Sequence, residues 1–199
     1  MPISQNGWAV QDSSKEMWKI DGVGPILSGA VWVILNDFVR WFETNIEPLG
    51  KSCGSYNRRK ISGSTKWSNH ASGTAVDLNW NLHPAWTKNK YAGFTSGQVS
   101  KINKAIKKYG GTIRWGASYS DPMHFEIAPG MKSSNLESVA TKLLQLRLIL
   151  RGYSVGKSGA DGIKGAATVA ALKKYQADNG LKDDALDGPK TWALLNKKL

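Results

Sequence analysis

The chain has 199 residues, 41% of them hydrophobic and 21% charged, a globular composition with enough apolar side chains for one large domain or two small ones. Lys and Arg number 27 against 15 Asp and Glu, a formal net charge of +12 that favours an anionic partner without saying whether it is nucleic acid, a membrane surface or an acidic polymer. The single cysteine, Cys53, excludes an intrachain disulfide and any multi-cysteine zinc site, so metal chemistry would fall to the three histidines and the carboxylates.

The first twenty residues carry neither a basic leader nor an apolar run and do not read as a secretory signal, so synthesis in a cytoplasm with no export route of its own is expected. The most apolar stretch, 25–35, is broken by Ser28 and Gly29 and soon followed by Asp37 and Arg40. A bilayer span needs about 20 apolar residues, so this stretch reads as a buried helix and no membrane insertion is expected. Leu27, Val31, Ile34, Leu35, Phe38, Trp41 and Phe42 place one apolar helical face over 27–42. A loop rich in Gly, Ser and Arg covers 50–66. Thr95 with Gln98 three residues later reads as a capping box. Behind it Val99, Ile102, Ile106 and Tyr109 form an apolar stripe that Gly110 and Gly111 end. Residues 112–115 and 123–127 read as short strands. Without βαβ alternation, this order predicts an α+β domain with a small antiparallel sheet flanked by helices.

The segment 128–135 (APGMKSSN) reads as a linker, dividing the chain into domains at 1–130 and 136–199. The second part is mostly helical and repeats itself. Asp161, Gly162, Gly165, Thr168 and Leu172 recur 23 residues later as Asp184, Ala185, Gly188, Thr191 and Leu195. Each copy reads as a tight turn leading into a helix, the mark of a repeated supersecondary unit. Residues 1–134 hold 16 basic and 9 acidic side chains and residues 135–199 hold 11 and 6. Neither half has a basic arm, which argues against a nucleic-acid partner.

Two short segments, 68–77 (SNHASGTAVD) and 121–126 (DPMHFE), hold the ligand-type residues. A catalytic zinc takes three His or carboxylate ligands and keeps one position for water, and His70, Asp77 and His124 would supply that set. The small residues at 71–75 let the backbone turn tightly enough for His70 and Asp77 to face one ion. Asp121, three residues before His124, is placed to take a proton from the water and pass it to the leaving amine. Peptide hydrolysis needs a further partner for the developing oxyanion. Arg58 and Arg59 are the available fixed cations, since guanidinium stays charged and presents forked donors. Glu126 shares a strand face with His124 and reads either as a carboxylate supporting the ligands or as a salt-bridged rim residue. Arg58 and Lys60 also read as solvated charges, and His83 as a surface or satisfied core residue. Trp67, Trp80 and Trp115 read as core, with cleft lining as the alternative.

The 68–77 segment resembles the S-x-H-x-x-G-x-A-x-D motif of zinc D-alanyl-D-alanine carboxypeptidases and phage L-alanyl-D-glutamate endopeptidases. Residues 114–127 (RWGASYSDPMHFEI) are similar to that family's second motif, and Tyr56, Arg59, Ile61, Gly63 and Ser64 to the arginine-bearing loop of its phage-lysin variant. The resemblance covers residues 20–128 and implies His70, Asp77 and His124 as zinc ligands, Asp121 as acid and base, and Arg59 as the arginine that binds substrate and transition state. The dipeptidase branch has Glu where this chain has Asp121, so the likeness is to the endopeptidase branch. Leu144, Gln145, Leu148, Gly152, Tyr153, Tyr175, Gln176, Gly180 and the 188–192 run (GPKTW) join the repeat in resembling a three-helix peptidoglycan-binding domain, with Ala185 in place of the second-turn glycine. Together the two resemblances imply a monomeric phage endolysin, released through holin holes, that uses Zn2+ to cleave an amide bond of the peptidoglycan stem, L-alanyl-D-glutamate. The alternatives are a D-Ala-D-Ala carboxypeptidase, a cross-link endopeptidase or a non-catalytic wall-binding protein.

Overall fold

In the computed structural model, which describes residues 1–197, the chain divides into one unit up to Lys132 and another from Ser133. The first unit runs β1 (Trp18–Ile20), β2 (Gly24–Ile26), α1 (Ala30–Asn45), a 3₁₀ turn (Asn69–Ser72), β3 (Ala75–Asp77), α2 (Ser96–Lys108), β4 (Ile113–Trp115), a second 3₁₀ turn (Gly116–Tyr119) and β5 (His124–Ile127). β1 and β2 pair as a hairpin, while β3, β5 and β4 form an antiparallel sheet with β5 in the centre. This is the expected α+β arrangement. Being paired on both edges, β5 is buried at all four residues.

Alternation along β5 sends Phe125 to one face and His124 and Glu126 to the other. Phe125 meets α1 through Phe38 (ring centroids 4.8 Å) and Phe42 (5.9 Å), and stacks on Trp115 (5.7 Å). Helix α1 starts at Ala30 rather than Leu27, because Gly29 takes φ +77° as its N-cap and sets the entry angle. Leu27 instead follows β2, where its N–H donates to the Gly73 carbonyl (2.9 Å). Helix α2 opens with the expected capping box: Thr95 Oγ1 accepts from Gln98 N–H (3.3 Å) and Gln98 Oε1 from Thr95 N–H (2.9 Å). Ahead of β1, Asn6 straps the N-terminal segment to the sheet, donating from Nδ2 to Thr74 Oγ1 (2.8 Å) and the Ile127 carbonyl (3.0 Å).

The second unit holds α3 (Ser133–Leu150), α4 (Ala166–Asp178) and α5 (Pro189–Leu195) around Leu136, Leu144, Leu148, Leu172, Trp192 and Leu195. Helix α3 begins inside the segment whose composition marks a linker, since Ser and Asn suit helix starts as well as loops. Among the described residues no helix is long and apolar enough to cross a membrane.

Two buried glutamines build the repeat. Gln145 Nε2 donates to Asp161 Oδ1 (2.8 Å), the Ile163 carbonyl (3.1 Å) and Thr168 Oγ1 (3.0 Å), and its Oε1 accepts from Gly162 N–H (2.8 Å). Gln176 makes the same four bonds to Asp184 (3.4 Å), Leu186 (3.0 Å), Thr191 (3.2 Å) and Ala185 N–H (3.0 Å). The left-handed turn position is Gly162 at φ +83° in one copy and Ala185 at φ +58° in the other. A Cβ on Gly162 would lie 2.6 Å from Ser138 Oγ and 2.8 Å from its carbonyl oxygen, so glycine is required there.

The two turns should therefore respond oppositely to substitution. Ala185→Gly relieves left-handed strain of about 1–2 kcal/mol and gives back about 0.4–1 kcal/mol in unfolded-state entropy, a net gain below about 1.5 kcal/mol. Gly162→Ala adds strain and a collision and should cost more than about 2 kcal/mol. Hydrogen exchange of the α3–α5 amides in the full chain reads both changes.

Candidate metal centre

The first 3₁₀ turn is set by its flanks. Ser68 Oγ accepts from His70 N–H (3.3 Å) at its start, and Gly73 ends it at φ +68°. A Cβ on Gly73 would stand 2.7 Å from Met17 Cε and 2.9 Å from Leu27 N, so the chain reverses there only with glycine. The reversal leads into β3, whose register with β5 places Asp77 opposite His124.

Three side chains converge as a result. His70 Nε2 lies 3.1 Å from His124 Nδ1 and 3.2 Å from Asp77 Oδ2, and Asp77 Oδ1 is 2.8 Å from His124 Nδ1. One potential ligand atom from each residue lies within 4.8 Å of the others. Both outer ring nitrogens are committed elsewhere. His70 Nδ1 donates to the Ser55 carbonyl (2.6 Å), and His124 Nε2 to Glu126 Oε2 (3.1 Å). In the neutral rings the inner nitrogens therefore carry the lone pairs, and they face each other beside a carboxylate. Two lone pairs at 3.1 Å repel unless a proton or a cation lies between them, so this donor set fits a divalent metal of the zinc type. Burial opposes a charge on His124, yet the Asp77 and Glu126 carboxylates outweigh it and push its pKa up to about 10. Burial likewise opposes the Asp77 charge, but bonds from His124 and His70 hold its carboxyl well below the usual range.

Glu126 has no exposed side-chain surface, which rules out the rim reading. Its carboxylate accepts from His124, from Asn69 Nδ2, from the Arg114 guanidinium and from the Tyr119 hydroxyl (3.3 Å). Burial opposes its charge, but the His124 and Asn69 bonds and Arg114 keep its pKa below the ordinary value. Burial, with the Glu126 charge, pushes the Tyr119 hydroxyl well above its normal range, so it stays a donor.

Asp121 is partly buried, and its Oδ1 is a buried atom with no hydrogen-bond partner. Burial raises its pKa, with His124 pulling it down and Asp77 pushing it up, which suits a group that takes up and releases a proton. Its backbone is fixed by N–H donation to the Gly116 carbonyl (3.0 Å) and by His124 N–H donating to its own carbonyl (3.2 Å). A Cβ on Gly116 would meet Asp121 O at 2.4 Å and His124 Cβ at 2.9 Å, so this turn too depends on glycine.

The arginines sit differently. Arg59 is exposed, on a loop whose backbone joins the site where Ser68 N–H donates to Arg59 O (3.1 Å) and Asn57 N–H to His70 O (3.2 Å). Arg58 pairs with Asp12 (3.0 Å) and lies over the Trp67 ring (5.0 Å), which Lys60 also approaches (5.9 Å). Both are exposed, as solvated charges are, and both also lie over an indole face. Trp115 is core, whereas Trp80 is 43% exposed beside Gly54, the residue bridged to Asp77. His83 is a satisfied core residue, stacked on Phe94 (3.5 Å) with Nε2 2.7 Å from Glu47. Sequence reading missed Ser55, Asn69, Arg114 and Tyr119. Arg114 meets Glu126 only through the β4–β5 register, which two short strands do not reveal in the sequence.

Residues 62–127 match the family model described as "D-alanyl-D-alanine carboxypeptidase", and residues 137–195 the model described as "Putative peptidoglycan binding domain". Among curated proteins, the chain is similar to a "Probable N-acetylmuramoyl-L-alanine amidase" of Bacillus licheniformis, 31% identical over 97 residues that cover 48% of this chain and 27% of that protein. It is also similar to an "Uncharacterized protein in bpoA1 3'region" of Kitasatospora aureofaciens, 36% identical over 72 residues, 36% of this chain and 60% of that one. The chain thus spans less than two thirds of either relative. No solved structure matches it.

A proton between the inner nitrogens and a metal ion compete for the same place. Adding zinc to metal-free protein near neutral pH should therefore release about one proton per site, measured by calorimetry in two buffers of different ionisation enthalpy. His70→Ala should abolish both the zinc binding and the release.

Proposed function

We propose, from the premise that this chain joins a segment of the D-alanyl-D-alanine carboxypeptidase family to a peptidoglycan-binding domain, that it is a zinc-dependent hydrolase of an amide bond in the peptide stem of bacterial peptidoglycan. The observation that carries this reading is the convergence of His70, Asp77 and His124, with Asp121, whose Oδ1 has no partner, near enough to feel the charges of all three. His70 Nε2, His124 Nδ1 and the Asp77 carboxylate would hold the ion. Zinc there would supply Lewis-acid polarisation of the scissile carbonyl and an acidified water. Asp121 removes a proton from the attacking water and returns it to the leaving amine, a task suited to a carboxyl whose pKa burial has raised. Arg59, exposed on the loop bonded to Ser68 and His70, binds substrate and the charge developing on the carbonyl oxygen.

The bond is L-alanyl-D-glutamate, with Asp121 rather than Glu as the supporting feature. In this reading the protein is a monomeric endolysin that reaches the wall after holin-dependent release. The catalytic domain spans residues 1–130 and the wall-binding domain residues 136–199. Digestion of purified peptidoglycan, with the new termini identified by mass spectrometry, tests the assignment. A new amino group on D-glutamate supports it. Released D-alanine would mean a carboxypeptidase. A new L-alanine amino terminus beside free lactyl carboxyl groups would mean the muramoyl-alanine bond named for the Bacillus licheniformis relative.

Asp121→Ala should retain zinc and lose turnover by about 10²–10⁴-fold, because the base is not a ligand. His70→Ala should lose both. Metal analysis alongside hydrolysis of a soluble muropeptide separates the two. A fragment ending at Lys132 should cleave that muropeptide at close to the full-chain rate and intact walls markedly more slowly, because the tether that raises local substrate concentration is gone.

A further inference from the structure

We infer that Glu126 is a positioning residue: its buried carboxylate fixes which nitrogen of His124 faces Asp77 and His70, and through Asn69 it holds the turn carrying His70 in place. The inference rests on the metal site proposed above.

A neutral imidazole can carry its proton on either nitrogen, and only the deprotonated one can bind a metal. A carboxylate only accepts hydrogen bonds, so Glu126 Oε2 at 3.1 Å from His124 Nε2 keeps the hydrogen there and the lone pair on Nδ1. Nδ1 is the atom 2.8 Å from Asp77 Oδ1 and 3.1 Å from His70 Nε2. The same Oε2 accepts from Asn69 Nδ2, one residue before His70, while Oε1 accepts from Arg114 on β4 and Tyr119 on the second 3₁₀ turn. One carboxylate thus receives donors from four separate elements, including both that carry the histidines.

A purely architectural role explains this less well. Arg114 already balances the charge, and a well-packed apolar side chain opposite Ala75 would avoid the desolvation that a buried ion pair suffers. The fourth donor, His124, is what requires an anionic acceptor. In Glu126→Gln only one oxygen remains. Arg114 claims it, so the amide NH2 faces His124 Nε2, which must then accept, and the hydrogen moves to Nδ1.

The test uses the full chain with 15N-labelled histidine. In the zinc-loaded wild type, His124 should show a protonated Nε2 and a metal-bound Nδ1 in its ring nitrogen shifts; Nε2 ligation would overturn the inference without any variant being made. Glu126→Gln should lower zinc affinity by about 10–100-fold in competition with a chromophoric chelator, and its zinc-free ring should lose the Nε2 hydrogen that the wild-type ring keeps. A folded Glu126→Gln with unchanged affinity and a wild-type Nε2–H would also overturn it. Asn69→Ala, which leaves the Glu126–His124 bond in place, should keep the Nε2–H; if it loses it as Glu126→Gln does, the direct hydrogen bond is not the cause and the inference fails. A wild type that binds no zinc at His70, Asp77 and His124 is a different failure, that of the metal site itself.

Discussion

Two imidazole lone pairs held 3.1 Å apart beside a carboxylate are an unfavourable arrangement unless a positive charge lies between them, and much of the first unit serves to maintain it. The outer nitrogen of each ring is anchored, one to a backbone carbonyl and one to Glu126, so neither ring can turn its lone pair away. The backbone beneath is equally constrained. Gly73 and Gly116 stand where a side chain would strike Leu27 or Asp121, so the chain reverses tightly on either side of the histidines. Under the proposed metal site, anchored rings on a tightly turned backbone would keep the donor geometry set before an ion arrives, leaving little ordering cost at binding.

Strand β5 links this polar cluster to the hydrophobic core. Phe125 packs among Phe38, Phe42 and Trp115, while its neighbours His124 and Glu126 face the other way. A shift of the strand by one residue would exchange these faces, placing a carboxylate in the aromatic cluster and a phenyl ring beside His70 and Asp77. Core packing and site geometry therefore specify the same register. The aromatic contacts on one face thus hold His124 and Glu126 on the other.

Much of this was legible in the sequence, to differing degrees. Residue chemistry alone grouped His70, Asp77, His124 and Asp121, because few side chains can bind a metal or move a proton and these cluster in two segments. The α2 capping box was readable because it is a local interaction between Thr95 and Gln98. The start of α1 was not, because Leu27 fits the helical period while the conformation of Gly29 decides where the helix begins. The β1–β2 hairpin has three residues per strand, too few to show alternation. Alternation placed Glu126 on the His124 face but could not say whether that face was buried. The answer depends on Asn69 and Tyr119, which reach it from other elements. Arg58 and Lys60 are exposed as read, but their contact with the face of Trp67 is a tertiary feature that no local pattern shows.

The second unit solves a different problem with one device used twice. A helix of its size supplies little core, and each turn before a helix leaves backbone groups to satisfy. Gln145 and Gln176 reach into those turns and pair with them through four bonds each. Lys164 and Asp187, at equivalent positions of the two copies, then join the turns to each other at 2.6 Å. With their backbones so fixed, the turns present Ile163 and Leu186, again equivalent positions, 68% and 69% exposed. Apolar side chains held out on rigid turns lose little freedom when covered by a ligand. Under the proposed function, a tether of this kind keeps the chain on an insoluble polymer, and the catalytic site need only bind its target bond weakly. In that proposal the exposed Arg59 would meet one stem peptide after another while the closed, fully bonded Glu126 cluster stays in a single arrangement.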